Sequence, residues 1–306
     1  MAMERQHIPV MVNEVISLLG CGPHKIYVDA TLGGGGHSLE ILHRTGPDGQ
    51  VIGIDWDEEA IQRAKEALSP FEGRVRIFRE NFIRLPELLQ EMEIESVDGI
   101  LFDLGLSSIQ LGEEGRGFSF RGEGPLDMRM DRRSETTAAD LVNRLSLEEL
   151  EETLREYGEE RWAKRIARAI VGERSQRPIE TTEALSKVVY RTIPRRFQSR
   201  AIDPATRTFQ ALRIRVNREL ENLKEVLKKG WPFLREGGRM CVISFHSLED
   251  RIVKETFRRL DRGEPGDPNP RRVMKVITRK PVTPSEEEQR DNPRSRSAKL
   301  RCAERV

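Results

Sequence analysis

Apolar and polar positions divide this chain into two kinds of stretch. Four short runs, Ile26 to Ala30, Val51 to Asp55, Val75 to Phe78 and Val97 to Asp103, are apolar with few breaks and are bounded by turn residues, as buried strands are. Between them the apolar positions recur at helical spacing. Val12 to Leu19 reads as a short helix, another begins near His37, and Ala60, Ile61, Ala64, Ala67 and Leu68 form one face of a helix that Asp57 can cap. Over residues 136–193 the pattern is helical only. Ser146-x-x-Glu149 is a capping box ahead of Leu147, Leu150 and Leu154. Trp162, Ile166, Ala169 and Ile170 mark a second helix, and Leu185, Val188 and Val189 a third that Pro194 stops. A long helix is expected from Asp203-Pro204, with Pro at its first position and Phe209, Leu212, Val216, Leu220, Leu223 and Val226 or Leu227 on its buried face. Trp231 to Gly238 reads as a turn into a fifth strand, Met240 to Ser244. Met274 to Lys280 and Ala298 to Arg305 alternate as two final strands. Strand–helix units interrupted by a helical insert predict an α/β fold with a doubly wound sheet. The expected division is 1–110, an insert over 111–203, and 204–306.

The strand ends carry the candidate chemistry. Asp29 closes the first strand and Gly33-Gly34-Gly35-Gly36 follow it. Glycines allow a sharp turn and a close approach of backbone to ligand. The dinucleotide fingerprint G-x-G-x-x-G fails, because its last position is Ser38 or Leu39, and no Gly-Lys-Ser/Thr is present for a P-loop. A glycine loop without a phosphate cradle suits a nucleoside ligand such as S-adenosylmethionine (SAM). Asp55 lies 19 residues past Gly36 at the tip of the second strand, where an acid commonly accepts hydrogen bonds from ribose hydroxyls. Phe82 stands after the third strand, either stacking on an adenine or serving as core. Asp103 ends the fourth strand.

Composition adds little until charge is mapped. The 306 residues are 37% hydrophobic and 34% charged, with a net charge of +1. There is no long apolar run and no leader-like pattern, so a cytoplasmic protein without membrane contact is expected. Cys21, Cys241 and Cys302 suggest neither a disulfide framework nor a zinc site, and no metal is expected. Between Arg191 and Arg218, however, eight arginines face one acid, Asp203, with Phe197 and Phe209 interleaved. Arginine suits phosphate and base contacts. If this stretch grips phosphate, removing Arg207 or Arg213 weakens RNA binding and flattens its salt dependence. Residues 112–131 are too long for an ordinary connection and read as a functional loop, while 263–272 are rich in Gly and Pro and are expected to be mobile.

Several segments together resemble one family. They are His7-Ile8-Pro9-Val10-Met11, Asp29-x-Thr31-x-Gly33-x-Gly35-Gly36-His37-Ser38, Asp103-Leu104-Gly105-x-Ser107-Ser108-x-Gln110, Arg116-Gly117-Phe118-Ser119-Phe120, Pro125-Leu126-Asp127-Met128-Arg129-Met130, Tyr157-Gly158-Glu159-Glu160, Pro204-Ala205-Thr206-Arg207-Thr208-Phe209-Gln210 and Ser244-Phe245-His246-Ser247-Leu248-Glu249-Asp250-Arg251. Across essentially the whole chain the sequence resembles the bacterial RsmH (MraW) family of 16S rRNA cytosine-N4 methyltransferases. The resemblance implies a class I SAM-dependent methyltransferase fold with an inserted helical RNA-recognition domain. It implies SAM as cofactor and, as substrate, a cytidine of the decoding centre in 16S rRNA within the small ribosomal subunit. By motif position it implies SAM contacts from Gly35, Gly36, His37, Asp55, Phe82, Asp103 and Gln110. Asp103 and Ser107 are the candidates beside the reacting amine. Asp127, Arg129, Arg207, Arg213 and His246 are candidates on the substrate side, His246 being equally readable as structural. The Asp/Ser/Asn-Pro-Pro-Tyr/Phe motif of DNA amino-methyltransferases is absent, and Asp103-Leu104-Gly105-Leu106-Ser107-Ser108 stands in its place. The alternatives are an amine methyltransferase on another nucleic acid and a non-catalytic, SAM-binding assembly factor. Monomer and dimer stay equally open.

Overall fold

The computed structural model describes residues 9–106, 110, 114–120, 122–198, 203–263 and 271–306. They fall into two compact units, one within Met1–Ser107 and Leu220–Val306, the other within Ser108–Glu219. The first contains a sheet of seven strands: β1 (Ile26–Asp29), β2 (Gln50–Asp55), β3 (Val75–Arg79), β4 (Val97–Asp103), β5 (Leu234–Ser244), β6 (Met274–Val276) and β7 (Lys299–Arg305). Their order across the sheet is β3-β2-β1-β4-β5-β7-β6. β1 to β5 are parallel, and β7 runs antiparallel between β5 and β6. The chain winds outward in both directions from β1, so the order reverses between β1 and β4. Ligands bind at the carboxyl ends of such strands, beside that reversal.

The strands read as near-continuous apolar runs because both faces are covered. Along β4, Ile100 and Phe102 belong to one core and Leu101 to the other. The first core adds helices α4 (Leu85–Glu91), α10 (Glu219–Gly230, through Leu223, Val226 and Leu227) and α11 (Ser247–Arg262, through Val253 and Phe257). The second adds α1 (Val12–Leu19), α2 (Gly36–Arg44) and α3 (Glu58–Leu68) through Val15, Leu19, Ile41, Leu42, Ala64 and Leu68. Asp57 caps α3 by accepting the Glu59 N–H at 3.1 Å. A short helix α12 (Glu286–Asp291) precedes β7. No described helix is long and apolar enough to cross a membrane.

The second unit is helical: α5 (Ala138–Arg144), α6 (Leu147–Gly158), α7 (Ala163–Arg174), α8 (Thr182–Thr192) and α9 (Thr206–Asn217). The expected capping box forms, with Ser146 Oγ accepting from Glu149 N–H and the Glu149 carboxylate accepting from Ser146 N–H. In α7 it is Ala167, rather than Ala169, that is fully buried with Ile166 and Ile170.

Three expectations change. The single long helix from Pro204 is two helices, α9 and α10. Arg218 between them is left-handed (φ 51°), and its N–H closes on the Ile214 carbonyl. The apolar stripe runs through the break, so periodicity alone does not reveal it. α9 starts at Thr206, after Asp203 has capped the entry by accepting from Ala205 N–H. The insert was expected to end at 203, but α9 packs on α6 and stays with the helical unit. The approach is close: a Cβ on Gly158 would stand 2.6 Å from the Arg207 carbonyl oxygen. Finally, β5 begins at Leu234, inside the expected turn, while β6 covers only Met274–Val276. The expected mobile stretch 263–272 falls mostly on residues 264–270, which lie outside the described residues.

Candidate active site

In the first unit the turn after β1 is built by backbone hydrogen bonds, from Leu32 N–H to the Ile54 carbonyl and from Gly35 N–H to the Leu32 carbonyl. Gly33 and Gly35 have φ of +52° and +84°, which side chains rarely adopt. The four glycines have different surroundings. A Cβ at Gly35 would meet the Leu68 side chain at 3.2 Å, and one at Gly36 would meet Pro9 at 3.0 Å. At Gly34 a Cβ would have nothing within 4 Å, so this residue borders open space. Gly35 caps α2 without a side-chain acceptor.

Parallel registry brings three carboxylates to this edge, one from each of β1, β2 and β4. Asp29 is buried and accepts from the Ser38 hydroxyl at 2.7 Å and from Thr31 N–H at 3.3 Å. Asp55 accepts from Gly33 N–H at 2.8 Å and from Asp57 N–H at 2.9 Å. Asp103 donates its own N–H to Thr31 Oγ1 at 2.6 Å, and its Oδ2 lies 3.6 Å from His37 Nδ1. Its Oδ1 is buried without a hydrogen-bond partner among the described residues. Loss of solvent raises the pKa of all three: Asp55 and Asp103 are pushed up to about 6, and Asp29 moves in the same direction. His37 draws Asp29 and Asp103 back only in part. The edge is therefore electron-rich, desolvated and short of positive charge.

His37 is buried, with Nε2 at 2.9 Å from the Val10 carbonyl oxygen. A carbonyl can only accept, so Nε2 carries the proton and Nδ1 faces Asp103. Val10 is held by its neighbour Met11, a buried left-handed residue (φ 55°) whose N–H donates to Glu288 Oε1 at 2.7 Å. Phe82 packs edge-on against Phe102 at 5.8 Å between centroids. Its other aromatic neighbour is Trp56 at 6.3 Å, next in sequence to Asp55 and half-buried. Trp56 was not among the expected site residues, because one aromatic beside an acid has no periodic signature. Asp29 was read as the end of a strand, and its buried hydrogen bonding shows that it also braces the loop. His246 opens α11 at the end of β5, its Nε2 3.1 Å from Oε1 of the buried Glu249. The other Glu249 oxygen accepts from Phe245 N–H at 2.8 Å.

In the helical unit, residues 125–131 of the loop expected to be functional are fixed by buried side chains and hydrogen bonds. Leu126, Met128 and Met130 point inward. Asn217 on α9 holds them by accepting from Met130 N–H and donating to the Met128 carbonyl, both at 2.8 Å. The alternating Asp127 and Arg129 pair through two hydrogen bonds of 2.7 and 2.8 Å. Burial pushes Asp127 up, but these bonds outweigh it and hold the carboxyl below its ordinary value. The basic stretch is not a row of free cations. Arg213 makes a two-pronged pair with Glu219 at 2.9 and 2.8 Å, both side chains nearly buried. Arg215 donates to Thr153 Oγ1 at 2.8 Å. Arg207 is exposed and spends one N–H on the Glu159 carbonyl. Gln110 is buried. Ser107 lies outside the described residues.

Residues 4–306 match the MraW methylase family. The chain is 52% identical over 307 residues to Ribosomal RNA small subunit methyltransferase H of Geotalea uraniireducens, covering 98% of each. It is 49% identical over 308 residues to the protein of that name from Halothermothrix orenii, covering 98% of this chain and 99% of the relative. With the Clostridioides difficile counterpart it shares 47% over 311 residues, covering 99% and 100%.

Proposed function

Since the chain belongs to the MraW methylase family, we propose that it transfers the methyl group of SAM to the N4 amine of a cytidine in 16S rRNA, at the decoding centre of the small ribosomal subunit and in the cytoplasm. One observation carries the cofactor side. Three carboxylates converge with only His37 to offset two of them in part, one of them leaves a buried oxygen unpartnered among the described residues, and Gly34 in the turn after β1 borders open space. That arrangement suits a nucleoside bearing two positive groups, the sulfonium and the amino group of SAM. Asp103 Oδ1 would accept from the amino group, Asp55 from the ribose hydroxyls, and the Trp56–Phe82 pair would flank the adenine. Asp29 would keep the glycine turn in shape through Ser38 and Thr31.

When bound, SAM supplies an electrophilic methyl on sulfur. The remaining difficulty lies in the nucleophile, because the N4 lone pair of cytosine is delocalised into its ring. The chain's task is to hold that amine in line and accept hydrogen bonds from its N–H groups, so that the lone pair turns out of the ring plane. Positioning is the main source of rate. The base must also leave its stack. Ser107 or a carbonyl of its loop is our candidate beside the amine. Asp127, Arg129, Arg207 and His246 are our candidates for holding the RNA.

The test is transfer of labelled methyl from SAM to small subunits lacking the modification, with the product nucleoside identified by mass. N4-methylcytidine at the decoding centre is expected. SAM binding without transfer to any subunit or naked rRNA would overturn the reading in favour of an assembly factor.

A further inference from the structure

The helical unit contains an open pocket of about 180 Å³, unrelated to the glycine loop in sequence, lined by Glu160, Trp162, Ile193, Phe197, Asp203 and Arg207 among others. We infer that it holds one unpaired nucleobase of the RNA, and that guanine fits it best; this rests on the reading of the chain as an rRNA methyltransferase.

The walls are aromatic. Phe197 is 46% exposed, and among the described residues only Val306 is another large hydrophobic so open to solvent. The ring lies 5.3 Å from that of Trp162, tilted by 49°. Both rings already carry planar cations, Arg165 at 5.1 Å over Trp162 and Arg196 at 4.8 Å over Phe197. A guanidinium on an aromatic face marks a surface on which a nucleobase can stack equally well, and unpaired bases are captured by such aromatic and arginine planes. An exposed phenylalanine within a run of arginines has no role in the core to explain it.

The floor is acidic, which distinguishes this pocket from a phosphate site. Glu160 is only 5% exposed, and its Oε1 accepts from Trp162 N–H at 2.8 Å. Asp203 accepts from the Tyr190 hydroxyl at 3.0 Å and from Ala205 N–H at 2.9 Å. An ionised carboxylate has about four acceptor positions and no donor, so both retain capacity for N–H groups. Guanine alone presents two adjacent donors, N1–H and the N2 amine, on its pairing edge. Adenine and cytosine place an acceptor nitrogen beside their amine, and uracil flanks one N–H with two carbonyls. Arg207 and Arg161 at the rim are exposed, where the phosphates of the captured nucleotide would lie. Holding a second base unstacked would help keep the strand open while another base is extruded.

The test measures binding of the full chain to short single-stranded RNAs that carry one guanine, or inosine or adenine in its place, over a range of salt concentrations. Phe197→Ala is expected to weaken the guanine RNA about tenfold, the scale of one lost base stack, with an unchanged salt slope. Phe197→Trp is expected to restore binding. Inosine, which lacks the N2 amine, is expected to bind the wild-type chain less tightly than guanine. Equal affinities of wild type and Phe197→Ala would overturn the pocket, and equal affinities for guanine and adenine RNAs would overturn the choice of base. Both readouts are independent of methyl transfer, so failure of the methyltransferase reading would show separately in the labelled-methyl assay.

Discussion

The carboxyl edge of the sheet and the arginine-rich stretch of the helical unit use charge in opposite ways. At the sheet edge three acids are gathered, stripped of solvent and left without enough positive charge, so that Asp55 and Asp103 titrate near 6. In the helical unit a run of eight arginines, which would suggest a bare cationic surface, is committed in part within the protein: Arg213 to Glu219, Arg215 to Thr153 and one N–H of Arg207 to the Glu159 carbonyl. A binding site is marked by charges the fold leaves unsatisfied. The count of charges in a segment is the weaker guide, because an acid just outside it can take one of them, as Glu219 takes Arg213, and neutral acceptors can occupy others.

That contrast can be broken in stages. The largest effect is expected where an arginine is structural. Arg213→Ala leaves Glu219 without its two-pronged partner in a nearly buried place, and breaking such pairs costs about 3–5 kcal/mol; urea unfolding should show that loss in the helical unit. If Arg213→Ala instead leaves stability intact and weakens RNA binding, the two regions are not opposites. Next comes Asp103→Asn, which keeps shape and removes charge. Hydrogen bonds to charged groups contribute about 1.5–3 kcal/mol, so calorimetry should show SAM affinity reduced by roughly 10- to 150-fold. Third is pH. A cationic ligand needs Asp55 and Asp103 ionised, so SAM affinity should fall below pH 6, by up to about tenfold per unit for each carboxylate that must lose its proton. Stability of the ligand-free protein should move the other way. Carboxyls raised in the folded state contribute stability that is present below their unfolded pKa and is lost as pH rises through 6. A flat affinity profile between pH 5 and 7 (about one unit either side of 6) would remove the electrostatic account of the edge. The smallest effect is expected at Arg207, which is exposed. Arg207→Ala should leave stability unchanged and reduce the slope of log affinity against log salt by about one.

Much of the sheet edge was legible beforehand because its signals are local. An apolar run that stops at an acid names both the strand and its end, and Asp29, Asp55 and Asp103 all sit where that rule puts them, while the glycines after Asp29 mark the turn. What was hidden depends on distant partners or on a pattern that continues through a break. The stripe of α9 and α10 is unbroken, so the left-handed Arg218 is invisible in it. Gly237-Gly238 disguised the first half of β5 as a turn, although that half lies within the strand. The neutralisation of Arg213 and the fixing of the Met128–Met130 loop by Asn217 come from contacts formed only by the fold. Trp56 joins Phe82 only once β2 and β3 are paired.

The position of β7 has a consequence for how the molecule is made. It is the last strand in sequence, yet it lies between β5 and β6 and bonds to both. While the chain emerges from the ribosome, β6 therefore has no neighbour to join, and β5 has a naked edge beside Met240 and Val242 until Lys299–Arg305 arrives. Unpaired edges of this kind invite association with other chains. The sheet stays incomplete until residues 299–305 have been made, and a chain cut short just before Lys299 should be prone to aggregate rather than merely weakened.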